Sequence, residues 1–234
     1  MLPHKVVTEQ EWIAARKALL AKEKTFIHAR DALSAERREL PWVKVEKNYM
    51  FDGPNGKQTL ADLFAGRSQL IVYHFMFGPG AKQGCPMCSF LSDHIDGAIP
   101  HLEHHDVSLV VVSRAPWAEL EPYGKRMGWR FRWVSSNGSD FNRDYHVSFT
   151  QEDIADGNRM YNYEADGMTT AGEAPGISVF YNDERGDIFH TYSSYARGGD
   201  LLIGTYNYLD LTPKGRNEEG ELKGWVRRHD EYER

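Results

Sequence analysis

The chain holds two cysteines, three positions apart, in Gly84-Cys85-Pro86-Met87-Cys88. Two thiols at this spacing have three ordinary uses: a redox-active dithiol, a pair of metal ligands, or small apolar side chains that pack in a core. Each use makes different demands on the neighbouring residues, so the surrounding sequence discriminates among them.

Pro86 favours the redox interpretation. Proline is common at the first position of a helix, where its missing N–H would have no partner, and a helix is predicted from Pro86 to Ile99. Cys85 then caps that helix, where the first-turn N–H groups and the helix dipole favour the thiolate. We therefore expect Cys85 to be the attacking nucleophile and Cys88, one turn inward, to be the resolving thiol. The spacing also permits a disulfide without much backbone strain.

Metal ligation is the alternative use of the pair. His94 follows Cys88 by six residues, which on a helix is a rotation of about 240° and a rise of about 9 Å, so its ring points away from the thiols. Two thiolates alone do not complete a tetrahedral site, and further ligands would have to come from elsewhere in the chain. We expect no bound metal and no organic cofactor, with metal ligation kept as an alternative.

Two further residues are candidates for the same site. His74 lies in the apolar strand that leads to the cysteines, where it is either a proton acceptor for the buried thiol or a hydrogen-bonded core histidine. Pro175 directly precedes the strand Gly176-ISVFY, and it is either a cis proline packed against Cys85 or a proline that starts an edge strand. The sequence leaves both pairs of alternatives open.

The elements around these residues alternate between strand and helix. Buried strands are predicted at 70–78, 107–114 and 130–135, with helices at 86–99 and 118–127 between them, and a hairpin is predicted at 176–193 before a final helix at 201–209. This alternation indicates an α/β fold with a central sheet flanked by helices.

The domain organisation follows from the same pattern. Residues 1–40 form a helical arm that begins with a capping box at Thr8, 41–211 form the main domain with an insertion at 136–174, and 212–234 form a polar, poorly packed tail. The partly apolar face of the arm must be buried, either on the main domain, which we favour, or in a homodimer.

Charge and hydropathy exclude several classes of function. The formal net charge is −6, and both signs are mixed along the chain, so no basic patch predicts nucleic-acid binding. The longest apolar run is too short to span a bilayer, and the N-terminal segment has no secretory pattern. We expect a cytoplasmic protein that does not bind membranes, and a cysteine pair in that compartment more often does chemistry than forms a structural disulfide.

Many stretches of the chain resemble one family of proteins of uncharacterised function, labelled predicted dithiol-disulfide oxidoreductases, with a thioredoxin-like fold. The stretches are LIVYHFMFGPG, GCPMCSF, DHIDG, VSRAP, RMGW, WVSSNGSDFN, FHTYSSYARG and YLDLTPKGRNE, between about residues 40 and 218. The resemblance implies a bacterial protein with a thioredoxin-like mixed sheet, in which Cys-Pro-Met-Cys is the dithiol and Pro175 stands in place of the cis proline. The implied partners are protein or small-molecule thiols and disulfides, bound beside Pro86.

The segment from Asp52 to Phe64 also resembles the start of peroxiredoxins, which implies a thiol peroxidase as an alternative function. Their motif places a threonine three residues before the reactive cysteine, whereas Lys82 stands there before Cys85, and Pro79 lies six rather than seven residues before Cys85. Arg114, at the end of a strand, is the candidate for the activating arginine. A third alternative is a small-molecule or metal-binding protein, with Trp133 and other aromatic residues in and beside 136–174 as its pocket.

Overall fold

The computed structural model describes residues 4–157, 159–165, 171–218 and 224–233. The chain forms two compact units, the first ending at Pro41 and the second beginning at Trp42. The helices are α1 (Glu9–Arg38), α2 (Leu60–Leu63), α3 (Pro86–Ser92), α4 (Ile99–His104), α5 (Trp117–Arg126), α6 (Phe141–Asp144), α7 (Gln151–Ala155) and α8 (Gly204–Leu209), and Ala196–Leu202 is a 3-10 helix. The strands are β1 (Val43–Lys44), β2 (Met50–Gly53), β3 (Gly56–Thr59), β4 (Gln69–His74), β5 (Val107–Ser113), β6 (Arg132–Ser135), β7 (Ser148–Phe149), β8 (Met160–Tyr161), β9 (Glu164–Ala165), β10 (Gly172–Glu173), β11 (Gly176–Asn182) and β12 (Ile188–Tyr195).

Helix α1 begins as the sequence predicts. The Thr8 hydroxyl accepts from the Glu11 N–H, and the Glu11 carboxylate accepts from the Thr8 N–H, which completes the capping box. Its apolar side chains include Trp12 and Phe26, which are 58% and 64% exposed, and the burial of this face stays a prediction.

The predicted mixed sheet flanked by helices is confirmed. Its strand order is β1-β12-β11-β4-β5-β6-β2-β3, in which β4, β5 and β6 are parallel and β11 runs antiparallel to both β4 and β12. An apolar strand of this kind lies at the centre of a sheet that is covered on both faces. Strand β4 therefore places its end, and the cysteine loop that follows, in the middle of the fold.

The side chains of β4 divide between the two layers of the core. Tyr73 belongs to a cluster with Cys88 and α3, while Leu70 and Val72 belong to a cluster on the other face with Phe141. Successive residues of a strand point to opposite faces, so the strand register decides which side chains can reach the cysteines.

One helix is shorter than predicted. The helix predicted over 86–99 ends at Ser92, because His94 turns out of it to hydrogen-bond the Phe90 carbonyl and Thr205. Within the insertion at 136–174, β7 and β10 pair, although residues 158 and 166–170 lie outside the described part.

The polar tail is also better packed than predicted. In its described residues, 212–218 and 224–233, the side chains of Val226 and Arg228 are buried, because Val226 joins the apolar cluster around α3 and Arg228 finds hydrogen-bond partners inside the domain. None of the helices in the described ranges combines the length and the apolar character that crossing a bilayer requires.

Candidate active site

The cysteine loop is fixed at the carboxyl end of β4. The Cys85 N–H donates to the Met76 carbonyl at 3.2 Å, and Pro86 occupies the first position of α3 with Cys85 as its cap, as predicted. The Ser89 N–H and the Ser89 hydroxyl both donate to the Cys85 carbonyl at 2.9 Å. These bonds hold the backbone on both sides of the Cys85 sulfur.

Gly84 allows this loop to lie against the core. A Cβ at Gly84 would overlap the Phe75 ring and would come within 3.1 Å of Tyr123. Glycine is the residue that permits such a close approach of backbone to a side chain. The position before the first cysteine is therefore sterically restricted.

The half-buried Cys85 thiol is set up to ionise. A hydrogen bond from the Cys88 thiol is the largest influence, and it lowers the pKa of Cys85 to about 6 against the opposing effect of burial. Although Cys85 makes no cap hydrogen bond of ordinary geometry, the N–H groups of Cys88 and Met87 and the guanidinium of Arg228 also favour its thiolate. A thiolate at this position is the attacking species in disulfide exchange.

Cys88 has the opposite environment. It is 1% exposed, and burial raises its pKa well above the ordinary thiol range, reinforced by the nearby Cys85. The Met76 N–H donates to its sulfur at 3.4 Å, and the Tyr73 hydroxyl also hydrogen-bonds to it. The two thiols thus differ in access and in proton affinity, as an attacking and a resolving thiol would.

Pro175 faces Cys88 across a small cavity. The cavity has a volume of about 60 Å³, and its lining includes Met76, Met87 and Ile177 as well as these two residues. All described peptide bonds are trans, so the cis alternative for Pro175 is wrong. The edge-strand alternative is wrong too, since β11 lies between β4 and β12. Pro175 precedes the first paired residue, Gly176, where its missing N–H leaves no gap in the ladder.

His74 is not brought to the cysteines. It is buried on the opposite face of β4 from Tyr73, where its ring stacks on Tyr145 and its Nε2 hydrogen-bonds the Ser178 hydroxyl at 2.8 Å. Burial lowers the pKa of His74 to about 3, so the ring is neutral. The strand alternation that directs Tyr73 toward Cys88 directs His74 away, which corrects the predicted proton-acceptor role.

Arg114 and Trp133 also lie outside the cavity. The Arg114 Nε donates to the Glu173 carboxylate at 2.5 Å, and Glu173 belongs to the insertion. Trp133 shares the apolar cluster with Cys88, but its Nε1 donates to Ser113 and its ring forms part of a separate surface cleft. Their predicted contact with substrate is not supported by these positions.

Two residues that contact the cysteine segment are not among those predicted for the site. Tyr73 lies in an apolar run, in which alternation along β4 separates it from His74. Arg228 lies in the tail that is predicted to be poorly packed. Its guanidinium donates to the Gly84 carbonyl, directly before Cys85, and no local sequence pattern predicts this contact.

The alternative metal site finds no support in the described ranges, where no group of three or more His, Cys, Asp or Glu side chains could hold an ion. His94, the nearest histidine in sequence, uses both ring nitrogens within the fold: Nδ1 bonds the Phe90 carbonyl, and Nε2 lies 2.9 Å from both the hydroxyl and the N–H of Thr205.

The aromatic residues of the insertion do not form one pocket. Phe141 and Tyr145 are buried in the core cluster on the His74 face. The hydroxyls of Tyr161 and Tyr163 donate to the carbonyls of Pro175 and Ser193. These side chains attach the insertion to the sheet.

Several solved structures share the general arrangement. The chain is similar to a Xylella fastidiosa PrxQ mutant (12% identity, TM-score 0.47, covering 71% of this chain and 94% of that one). It is similar to the Xanthomonas campestris bacterioferritin comigratory protein (13% identity, TM-score 0.47, covering 72% of this chain and 96% of that one). It is also similar to peroxidoxin BcpB of Mycobacterium tuberculosis (11% identity, TM-score 0.44, covering 73% of this chain and 97% of that one). Likenesses this loose carry no conclusion about activity.

No curated protein matches the chain. One family profile does, over residues 1–232, and its description is "Bacterial protein of unknown function (DUF899)". Because this match spans nearly the whole chain, the protein belongs to the DUF899 family.

Proposed function

We propose that the protein is a thiol–disulfide oxidoreductase in which Cys85 is the nucleophile and Cys88 the resolving thiol. The observation that carries this proposal is the difference between the two thiols. Cys85 is partly accessible and has a pKa of about 6, whereas Cys88 is buried and has a raised pKa. Two cysteines that served only as packing would not need this difference.

The reaction balances with the two thiols alone. The Cys85 thiolate attacks one sulfur of a substrate disulfide, a mixed disulfide forms, and the other substrate sulfur leaves as a thiolate. Cys88 then loses its proton and attacks the Cys85 sulfur, which releases the second substrate sulfur. The products are the Cys85–Cys88 disulfide and a substrate dithiol that has gained two electrons.

The proposed partners are thiols and disulfides, either of proteins or of small molecules. The apolar lining beside Cys88, with Met76, Met87 and Pro175, suits an uncharged segment next to the reacting sulfur. We place the protein in a reducing compartment, the cytoplasm, where cellular thiols return the pair to the dithiol. The proposal needs no organic cofactor and no metal.

A thiol peroxidase is the alternative on the same scaffold. The candidate activating arginine, Arg114, pairs with Glu173 instead. The guanidinium that acts on Cys85 is that of Arg228, which is already bonded to the Gly84 carbonyl and to Glu231. A metal- or small-molecule-binding protein is the second alternative, and it lacks a described ligand cluster or a shared aromatic pocket.

Reduction of a disulfide-linked peptide by the reduced protein tests the proposal. We expect stoichiometric reduction by the wild type, no reduction by Cys85→Ser, and accumulation of a Cys85–peptide mixed disulfide with Cys88→Ser. Peroxide consumption with a dithiol donor but no peptide reduction would favour the peroxidase instead. Bound metal that is lost in Cys85→Ser would favour the binding protein.

We also propose that the exposed face of α1 is covered by a second copy of the chain. Trp12, Leu19, Phe26 and Leu33 recur every seven residues and are more than half exposed. A seven-residue apolar repeat is the pattern by which two helices pack along their length. This proposal concerns assembly and is independent of the thiol chemistry.

A further inference from the structure

The C-terminal strap, defined here as residues 224–231, reaches the cysteine loop through one side chain. The Nη2 and Nε of Arg228 donate to the Gly84 carbonyl at 2.6 and 3.1 Å, and Nε also lies 3.1 Å from the Tyr123 hydroxyl. Arg228 is 8% exposed, an unusual burial for an arginine. A buried guanidinium therefore holds the peptide group directly before Cys85.

The strap is anchored independently of this contact. The Trp225 ring packs edge-on against Phe90 of α3, at a centroid distance of 5.6 Å, and Val226 is buried in the same cluster. The His229 Nδ1 lies 2.8 Å from the Asp93 carboxylate. These contacts join the strap to α3 itself, so Arg228 is placed by elements that already carry the cysteines.

Arg126 of α5 adds a second anchor. Its guanidinium forms an ion pair with Asp230 at 2.7 Å and another with Glu231 at 3.2 Å. Glu231 in turn accepts from the Arg228 Nη1 at 3.0 Å. Arg228 thus has a carboxylate on one side and the Gly84 carbonyl and Tyr123 hydroxyl on the other.

We propose that Arg228 is a positioning residue for Cys85, which fixes the loop before the cysteine and places a positive charge beside its thiolate. The inference deepens the proposed function, because it matters for catalysis only if Cys85 is the nucleophile. Arg228 acts through the Gly84 peptide group and through its charge.

Several charged and titratable groups bear on Cys85. The Cys88 thiol and the Arg228 guanidinium act on it directly, and both favour the thiolate. Tyr73 acts on Cys88, and Glu231 partly neutralises Arg228. Without the guanidinium, the thiolate loses a favourable charge, and the Gly84 carbonyl loses both donated hydrogen bonds.

The test is the pH dependence of Cys85 alkylation, read on its own peptide by mass spectrometry. In Arg228→Gln we expect the Cys85 pKa to rise by about one unit, which slows alkylation roughly fivefold at pH 6. Arg228→Lys keeps the charge but not the two-donor geometry, so an intermediate shift is expected. The matched control is Arg227→Gln, because the side chain of the exposed Arg227 donates to the Gly224 and Val226 carbonyls, which both belong to the strap. Its profile should equal that of the wild type.

A profile of folded Arg228→Gln that coincides with the wild type would overturn the inference. If Arg228→Gln does not fold, Arg228→Lys decides instead. A raised Cys85 pKa in folded Arg228→Lys supports the inference, and a profile that coincides with the wild type contradicts it. Peptide disulfide reduction is measured in parallel, since an inactive wild type with a shifted Arg228→Gln profile would reject the proposed function while leaving this inference intact.

Discussion

The backbone N–H of Met76 donates to the Cys88 sulfur at 3.4 Å. The Met76 carbonyl accepts from the Cys85 N–H at 3.2 Å, so one residue, two positions beyond the end of β4, bonds both cysteines. The buried thiol is held against the sheet, while the other thiol is left at the start of α3. This difference in environment is the basis of the proposed division between attack and resolution.

Gly84→Ala should displace the cysteine loop. The added methyl group would overlap the Phe75 ring, so we expect a loss of roughly 1–3 kcal/mol in the free energy of unfolding and a raised Cys85 pKa. Denaturant unfolding and the alkylation profile measure the two effects. Gly97→Ala is the control, because a Cβ at Gly97 meets no atom within 4 Å. Equal unfolding curves for the two variants would contradict this, because they would mean that the loop accommodates the added methyl group.

Tyr73→Phe should slow resolution without slowing attack. The Tyr73 hydroxyl favours ionisation of Cys88, and the phenylalanine ring keeps the packing. One hydrogen bond to an anion contributes roughly 1.5 kcal/mol, so decay of the Cys85 mixed disulfide should slow about tenfold. Stopped-flow kinetics with a labelled peptide separate the two steps. Tyr208→Phe, at a residue that is 75% exposed, should leave both rates unchanged. An unaltered decay rate in Tyr73→Phe would remove Tyr73 from the resolving step.

His74→Gln should change the pH dependence of stability and leave the thiol chemistry unchanged. The folded-state pKa of His74 is about 3 and the ordinary value is 6.5, so between these values the unfolded chain binds a proton that the folded chain does not. The free energy of unfolding therefore falls as the pH decreases from 6.5 toward 3. His74→Gln abolishes this contribution, and urea unfolding should show a flatter slope in that window. A changed Cys85 alkylation profile in this variant would contradict this and would indicate that His74 acts on the thiols.

Phe26→Glu should dissociate the dimer that we propose to form through α1. Light scattering of the wild type should give twice the 26.8 kDa of one chain, and the variant should give one chain, because a charge interrupts the seven-residue apolar repeat. Ala14→Glu, about 120° around the helix from Phe26 and outside the seven-residue repeat, should remain a dimer. A wild type of single-chain mass at micromolar concentration would contradict the proposed association.

The sequence predicts those secondary-structure elements that depend on interactions between neighbouring residues. The apolar run of β4, the capping box at Thr8 and the proline after Cys85 each fix structure through neighbouring residues, and all three predictions are confirmed. The end of α3 at Ser92 was missed because His94 bonds Thr205, which lies 111 positions away.

The same limit applies to the site. The face of β4 that receives α3 depends on tertiary packing, so the sequence could not choose between Tyr73 and His74 as the neighbour of the thiols. Arg228 lies 144 positions beyond Gly84, and its neighbours in the tail are mostly polar or charged, so a solvated surface was the ordinary interpretation. Contacts of this separation arise from the fold as a whole.

Rapid alkylation of the reduced wild-type protein across pH, with each cysteine peptide quantified by mass spectrometry, tests the central claim most directly. We predict that Cys85 is labelled first and that its rate is half-maximal near pH 6, with Cys88 protected until the protein unfolds. Half-maximal labelling of Cys85 near the ordinary thiol value of about 8.5, or labelling of Cys88 at an equal rate, would contradict the account.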